Sequence, residues 1–137
     1  MEIALYFKDS GFSSQRLLRA LEDRVKTRLI VFHALEPLAE FINRPAPEKP
    51  VVILLIKSRD ELEIAAGADF FWERARLLLV PPDQEPETLH QAYVLRPRFM
   101  TCQDSDFNDL SAVLNNLLKR PGTQRDKEKG EERWPKT

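Results

Sequence analysis

The sequence predicts a three-layer α/β/α sandwich on a five-stranded parallel sheet, and three observations lead there. Short apolar runs alternate with segments of helical period from residue 2 to residue 119. The run "PVVILLI", residues 50–56, has no polar alternation, as in a strand covered on both faces, and such strands belong to parallel sheets. Finally, five strand–helix repeats fit this length, and right-handed crossovers then place helices on both sides of the sheet.

Each element follows from its residues. Ile3 to Phe7 reads as the first strand. Ser13 to Val25 reads as the first helix, with Ser13 or Ser14 as its cap and Leu17, Leu18, Leu21 and Val25 on one buried face. Arg16, Arg19, Glu22 and Asp23 then face water. Leu29 to Phe32 is the second strand. Glu36-Pro37 opens the second helix, where a proline in the first turn removes an N–H that has no partner anyway, and Leu38, Phe41 and Ile42 face the core.

The proline-rich connector "RPAPEKP" leads into the third strand, and the third helix starts near Ser58 or Asp60 and breaks or bends near Gly67. Arg76 to Val80 is the fourth strand. "PPDQEPETLHQAYVL" begins with breakers and then offers Leu89, Ala92 and Tyr93 at helical spacing, with Pro97 as the stop. Arg98 to Cys102 is the fifth strand, and Asp104 or Ser105 caps a last helix with Phe107, Leu110, Val113, Leu114 and Leu117 on one stripe. The domain therefore covers residues 1–120. Residues 121–137, "PGTQRDKEKGEERWPKT", carry too few apolar residues to fold alone and read as a charged, flexible tail.

Composition narrows the function classes. Lys plus Arg (21) nearly balance Asp plus Glu (22), so no strong overall field gathers polyanions, and nucleic acid is not the expected partner. The single cysteine, Cys102, excludes an internal disulfide and a thiolate metal cluster, which fits a reducing cytoplasm. No apolar run approaches the roughly 20 residues of a membrane-spanning helix, and "MEIALYFKDSGF" lacks the features of a secretory signal. The expectation is a cytoplasmic protein without a membrane partner.

The element order, the spacing and the ending "RFMTCQDSDFNDLSAVLNNLL" resemble the receiver domain of bacterial response regulators over residues 2–119. The resemblance implies a sheet of flavodoxin/CheY-like type with strand order 2-1-3-4-5. It further implies a phosphoryl-accepting aspartate after strand three, an acidic pair for Mg²⁺ after strand one, a hydroxyl after strand four and a lysine after strand five. Those positions fall on Phe7 and Lys8 with Asp9 beside them, on Ile56 or Lys57, on Pro81 and on Cys102 followed by Gln103. One carboxylate beside an ammonium is a poor Mg²⁺ site, and neither Ile56 nor Lys57 is a carboxylate nucleophile. Asp60, near the third strand, reads as an ordinary helix-start acid favoured by the dipole. The implied function is that of a non-phosphorylated pseudo-receiver, a regulatory protein-interaction module in bacterial signal transduction without catalysis or cofactor.

Other patterns are weaker. Cys102 could act as a nucleophile only beside His33 or His90, and a lone cysteine is more often a small buried hydrophobe. Two widely spaced histidines make a metal site equally weak, so none is expected. "GFSS" could hold an anion at a helix start, although capping explains its serines as well. "FKDSGFSSQR" has neither the Walker nor the dinucleotide pattern.

Two stretches suggest binding. In "ADFFWERA", Phe70, Phe71 and Trp72 cannot all point inward from one helix, so either a ring such as Phe71 or Trp72 meets a partner or the segment folds back over the core. "AYVLRPRF" gathers Tyr93, Arg96 and Arg98. In receivers the face of helix four, strand five and helix five binds targets and dimer partners, so the resemblance points there for another signalling protein or a second copy. The competing readings are a small ligand sensor or enzyme with an anion pocket lined by Lys8, Asp9, Lys57, Pro81 and Cys102, or a structural module with no signalling partner.

Overall fold

The computed structural model describes residues 2–119 apart from residues 26, 47, 68 and 105, and leaves out the side chains of Asp69, Phe70, Phe71 and Lys119. The sequence expectation for residues 121–137 lies outside the described residues, as does that for Ser105.

In chain order the elements are β1 (Glu2–Tyr6), α1 (Phe12–Arg24), β2 (Arg28–Phe32), α2 (Leu35–Asn43), β3 (Val51–Leu55) and α3 (Arg59–Gly67). A 3-10 helix (Asp69–Arg74), β4 (Arg76–Val80), α4 (Pro86–Val94), β5 (Phe99–Met100) and α5 (Asn108–Lys119) follow. The sheet is parallel with order β2-β1-β3-β4-β5, so the expected α/β architecture and strand order are both present. Leu5 stands beside Ile53 in β3, and Ile53 beside Leu78 in β4.

The period of two along each strand divides the core into two halves. Ala4, Tyr6, Val52, Leu54, Ile56, Leu77 and Leu79 pack against α2, α3 and α4. Ile3, Leu5, Phe7, Val51, Ile53, Leu55, Leu78 and Val80 pack against α1 and α5. Every residue of β3 is buried, as a central strand covered on both sides requires.

Local chemistry sets the helix limits. The N–H of Gly11 donates to Ser14 Oγ (2.7 Å), so Ser14 serves α1 from its third position and Gly11 takes the cap position expected of Ser13 or Ser14. Ser58 Oγ accepts the Glu61 N–H (3.1 Å), while Glu61 reaches back to the Lys57 N–H (2.9 Å). This reciprocal pair fixes the start of α3 and explains the acid-rich "SRDE" run as helix initiation. Gly67 ends α3 as the sequence suggests.

Three expectations need correction. The fifth strand is shorter than Arg98 to Cys102, although Arg98 N donates to Leu77 O (2.7 Å) and Thr101 N to Leu79 O (3.2 Å), so backbone bonding to β4 extends past the strand proper. The α5 start is held by Asp106, not Asp104: its Oδ1 accepts the Asn108 N–H at 3.0 Å. On α4 the buried stripe is Thr88, Ala92 and Leu95, and Tyr93 is 63% exposed. Hydropathy alone misses Thr88, which is buried with its hydroxyl accepting from Arg59 Nε (2.7 Å).

Candidate functional site

Open parallel sheets place working groups beyond the C-terminal ends of their strands. In this chain that edge is tied together by side chains. Gln103, just after β5, donates from Nε2 to the carbonyl oxygens of Ile56 (2.7 Å) and Pro81 (3.3 Å), which end the β3 and β4 segments. Its Oε1 accepts from Ser13 Oγ at 3.1 Å, and its own carbonyl accepts from Arg16 Nη1 at 2.7 Å. One amide side chain thus joins three segments. The Arg16 guanidinium also stacks over the Phe107 ring (5.3 Å), fixing the turn into α5.

Lys57 closes the neighbouring gap: its ammonium donates to the Asp9 backbone carbonyl at 2.9 Å, crossing from β3 to the loop after β1. The loop passes so close that a Cβ on Gly11 would lie 2.6 Å from Lys57 Nζ. Phe7 and Ile56 are buried on opposite faces of the sheet, Pro81 is buried, Cys102 is half-buried, and Lys8 and Asp9 are exposed. Tyr6, just below, has its phenol held above the usual range by burial first and then by the negative charges of Glu61 and Asp9. It stays protonated there.

The catalytic pairings weighed for Cys102 are not assembled. His33 follows β2 at the far edge of the sheet, four strand spacings from Cys102 or roughly 19 Å. There its Nδ1 lies 2.9 Å from Phe7 O, and its ring meets the Phe7 ring edge-on at 5.0 Å. His90 lines the groove between α3 and α4 with Arg59, Asp60, Glu63 and Glu87. Among the described residues no group of three or more His, Cys, Asp or Glu is placed to hold a metal ion. No helix among them is long and apolar enough to cross a membrane.

The binding candidates separate into two sets. Trp72 is corrected to a core residue: it is 2% exposed and its indole N–H donates to Ala65 O at 2.7 Å. A 3-10 turn in place of an α-helix changes the angular spacing and turns this ring inward over α3. The Phe71 side chain lies outside the described residues. Tyr93, Arg96 and Arg98 are exposed and lie together at the base of α4, at the N-terminal edge of the sheet. They line a cleft of about 670 Å³ with Lys49, Val94, Leu95, Trp72 and Ala75.

Sequence reasoning passed over Gln103, Lys49 and Val94. Gln103 was visible only as the residue after Cys102, because its partners lie 47 and 22 positions away. Lys49 sits in a connector whose proline content drew the reading instead.

No family model matches this chain, and neither a curated protein nor a solved structure does.

Proposed function

We propose that this chain is a receiver-like domain that has exchanged phosphoryl chemistry for a fixed structure, and that it works in bacterial signalling by binding another protein. The observation that carries the reading is the Gln103 amide bridging Ile56 O, Pro81 O and Ser13 where the fold would otherwise house a reaction. A phosphorylation centre needs a nucleophilic carboxylate, a metal and room for a phosphoryl group. Here the third-strand end supplies Ile56 and Lys57, the Glu61 carboxylate beside them is taken up by the Lys57 N–H, and the lysine side chain reaches the Asp9 backbone carbonyl. An anion pocket on the same edge would require Lys57 to leave Asp9 O.

Binding is assigned to the opposite end and the α4 side, where Tyr93 (63%) and Val94 (50%) are exposed beside Arg96 and Arg98. Apolar area beside arginines is the composition of binding hot spots. The test is the intact mass after incubation with Mg²⁺ and a small phosphodonor. An unchanged mass supports the reading, and stable uptake of one phosphoryl group on an aspartate overturns it.

A further inference from the structure

We infer that the cleft at the base of α4 takes an acidic protein segment that carries a large apolar side chain between its carboxylates. This rests on the protein-binding reading above and names the chemistry of the partner.

The cleft has an apolar floor and a cationic rim. Trp72, Ala75 and Leu95 line its interior side, and the exposed Tyr93 and Val94 extend the apolar surface outward. Lys49, Arg96 and Arg98 supply three cations against one carboxylate, Glu73. Among the described residues none of those three cationic side chains forms an ion pair. Half-buried Arg76 stands beside the rim, its Nε held by Lys49 O at 2.9 Å. Burial lowers the Arg76 value, Glu48 opposes that, and Arg98 adds least to it.

A second observation concerns the backbone. Arg96 has φ 54° in the turn that closes α4, with its N–H on Tyr93 O at 3.0 Å. Glycine is the usual residue in that left-handed position, and a side chain there costs about 1 kcal/mol. The chain accepts that strain and places a cation on the rim.

Charge and shape select the occupant. A cleft of about 670 Å³ fits one or two large side chains. A neutral apolar segment would leave the cations without compensation, and a free carboxylate would leave the floor uncovered. A nucleic acid would need a longer basic track, whereas this cleft is short and the whole chain carries a net charge of −1.

The test uses the full chain and a dye-labelled peptide of about twelve residues with a central tryptophan flanked by glutamates, a length that spans the cleft when extended. Its glutamine counterpart and a short single-stranded oligothymidylate are the comparison probes. The acidic peptide should bind saturably, with NMR shifts centred on Tyr93, Val94 and Arg98. Arg98→Glu and Lys49→Glu should each weaken it about tenfold or more, while Arg19→Glu, on α1, should not. Equal binding of the glutamine peptide, tighter binding of the oligonucleotide, shifts centred elsewhere, or no saturable binding would each overturn the inference. The phosphodonor experiment is independent. An unchanged mass without peptide binding removes only this partner chemistry, whereas phosphate uptake removes the non-phosphorylated reading whatever the peptide does.

Discussion

The Nε2 of Gln103 lies 2.7 Å from the carbonyl oxygen of Ile56, so the turn after β5 is bonded directly to the end of the central strand. Replacing Gln103 with alanine leaves Ile56 O and Pro81 O without this donor and should cost about 1–3 kcal/mol in chemical denaturation. Gln103→Glu keeps the shape but turns a carboxylate oxygen toward carbonyl oxygens, so at neutral pH it should cost more than alanine. Those neighbours favour the protonated acid and raise its folded-state pKa. The folded variant then binds a proton more tightly than the unfolded chain, and the excess penalty should shrink below about pH 5. A pH-independent gap between the two variants would contradict the bonding described for Gln103.

Gly11 and Lys57 should be energetically coupled. A methyl group at Gly11 would meet Lys57 Nζ, the far end of a flexible side chain, so Gly11→Ala should swing the ammonium away from Asp9 O at a cost of about 1 kcal/mol. Once that bond is lost, Lys57→Met should cost little more. A double-mutant cycle should therefore give a penalty smaller than the sum of the single changes. Additive penalties would mean that Lys57 does not bridge the loop.

Arg96→Gly should separate stability from binding. Removing the side chain from a φ of 54° should raise stability by about 0.5–1 kcal/mol, since glycine suits the left-handed turn. The same change removes a rim cation and should weaken binding of the acidic peptide. Opposite signs in thermal unfolding and in peptide titration are the expected outcome.

Asp83 should contribute to acid sensitivity. The Thr88 hydroxyl first, then the Glu85 N–H and the Arg59 guanidinium, hold its carboxyl below the ordinary value of 3.8 against the opposing effect of burial. A lowered folded-state pKa means that the contribution is complete above 3.8 and is lost as the pH falls through the lowered value. Asp83→Asn should thus flatten the stability curve in that acid window and leave its slope near neutral pH unchanged.

Elements that follow hydrophobic periodicity were legible before any coordinates. Leu17 and Leu21 on α1, Leu38, Phe41 and Ile42 on α2, and the whole of β3 are buried as their spacing requires. Sequence reading lost ground where polar groups enter the core or partners are distant. Thr88 is buried and bonded to Arg59 across 29 positions, so a stripe of Leu89, Ala92 and Tyr93 read from hydropathy missed it. Trp72 could not be separated from Phe70 and Phe71 without knowing that the segment is a 3-10 turn. That the third and fourth strand ends carry Ile56, Lys57 and Pro81 was readable, but the bonds that tie those ends together were not, because no local pattern announces the contacts of Gln103.

The central claim is that the strand ends are fastened by side chains through Gln103 and Lys57, and we propose that they therefore take up no divalent cation. Paramagnetic relaxation by Mn²⁺, standing in for Mg²⁺, tests it most directly in NMR spectra of the full chain. The account predicts no saturable, selective loss of signal at Phe7 to Asp9 or at Ile56 and Lys57, with the Gln103 side-chain amide unaffected. Saturable loss centred on those residues at micromolar Mn²⁺ would reveal a working cation site at the strand ends and contradict it.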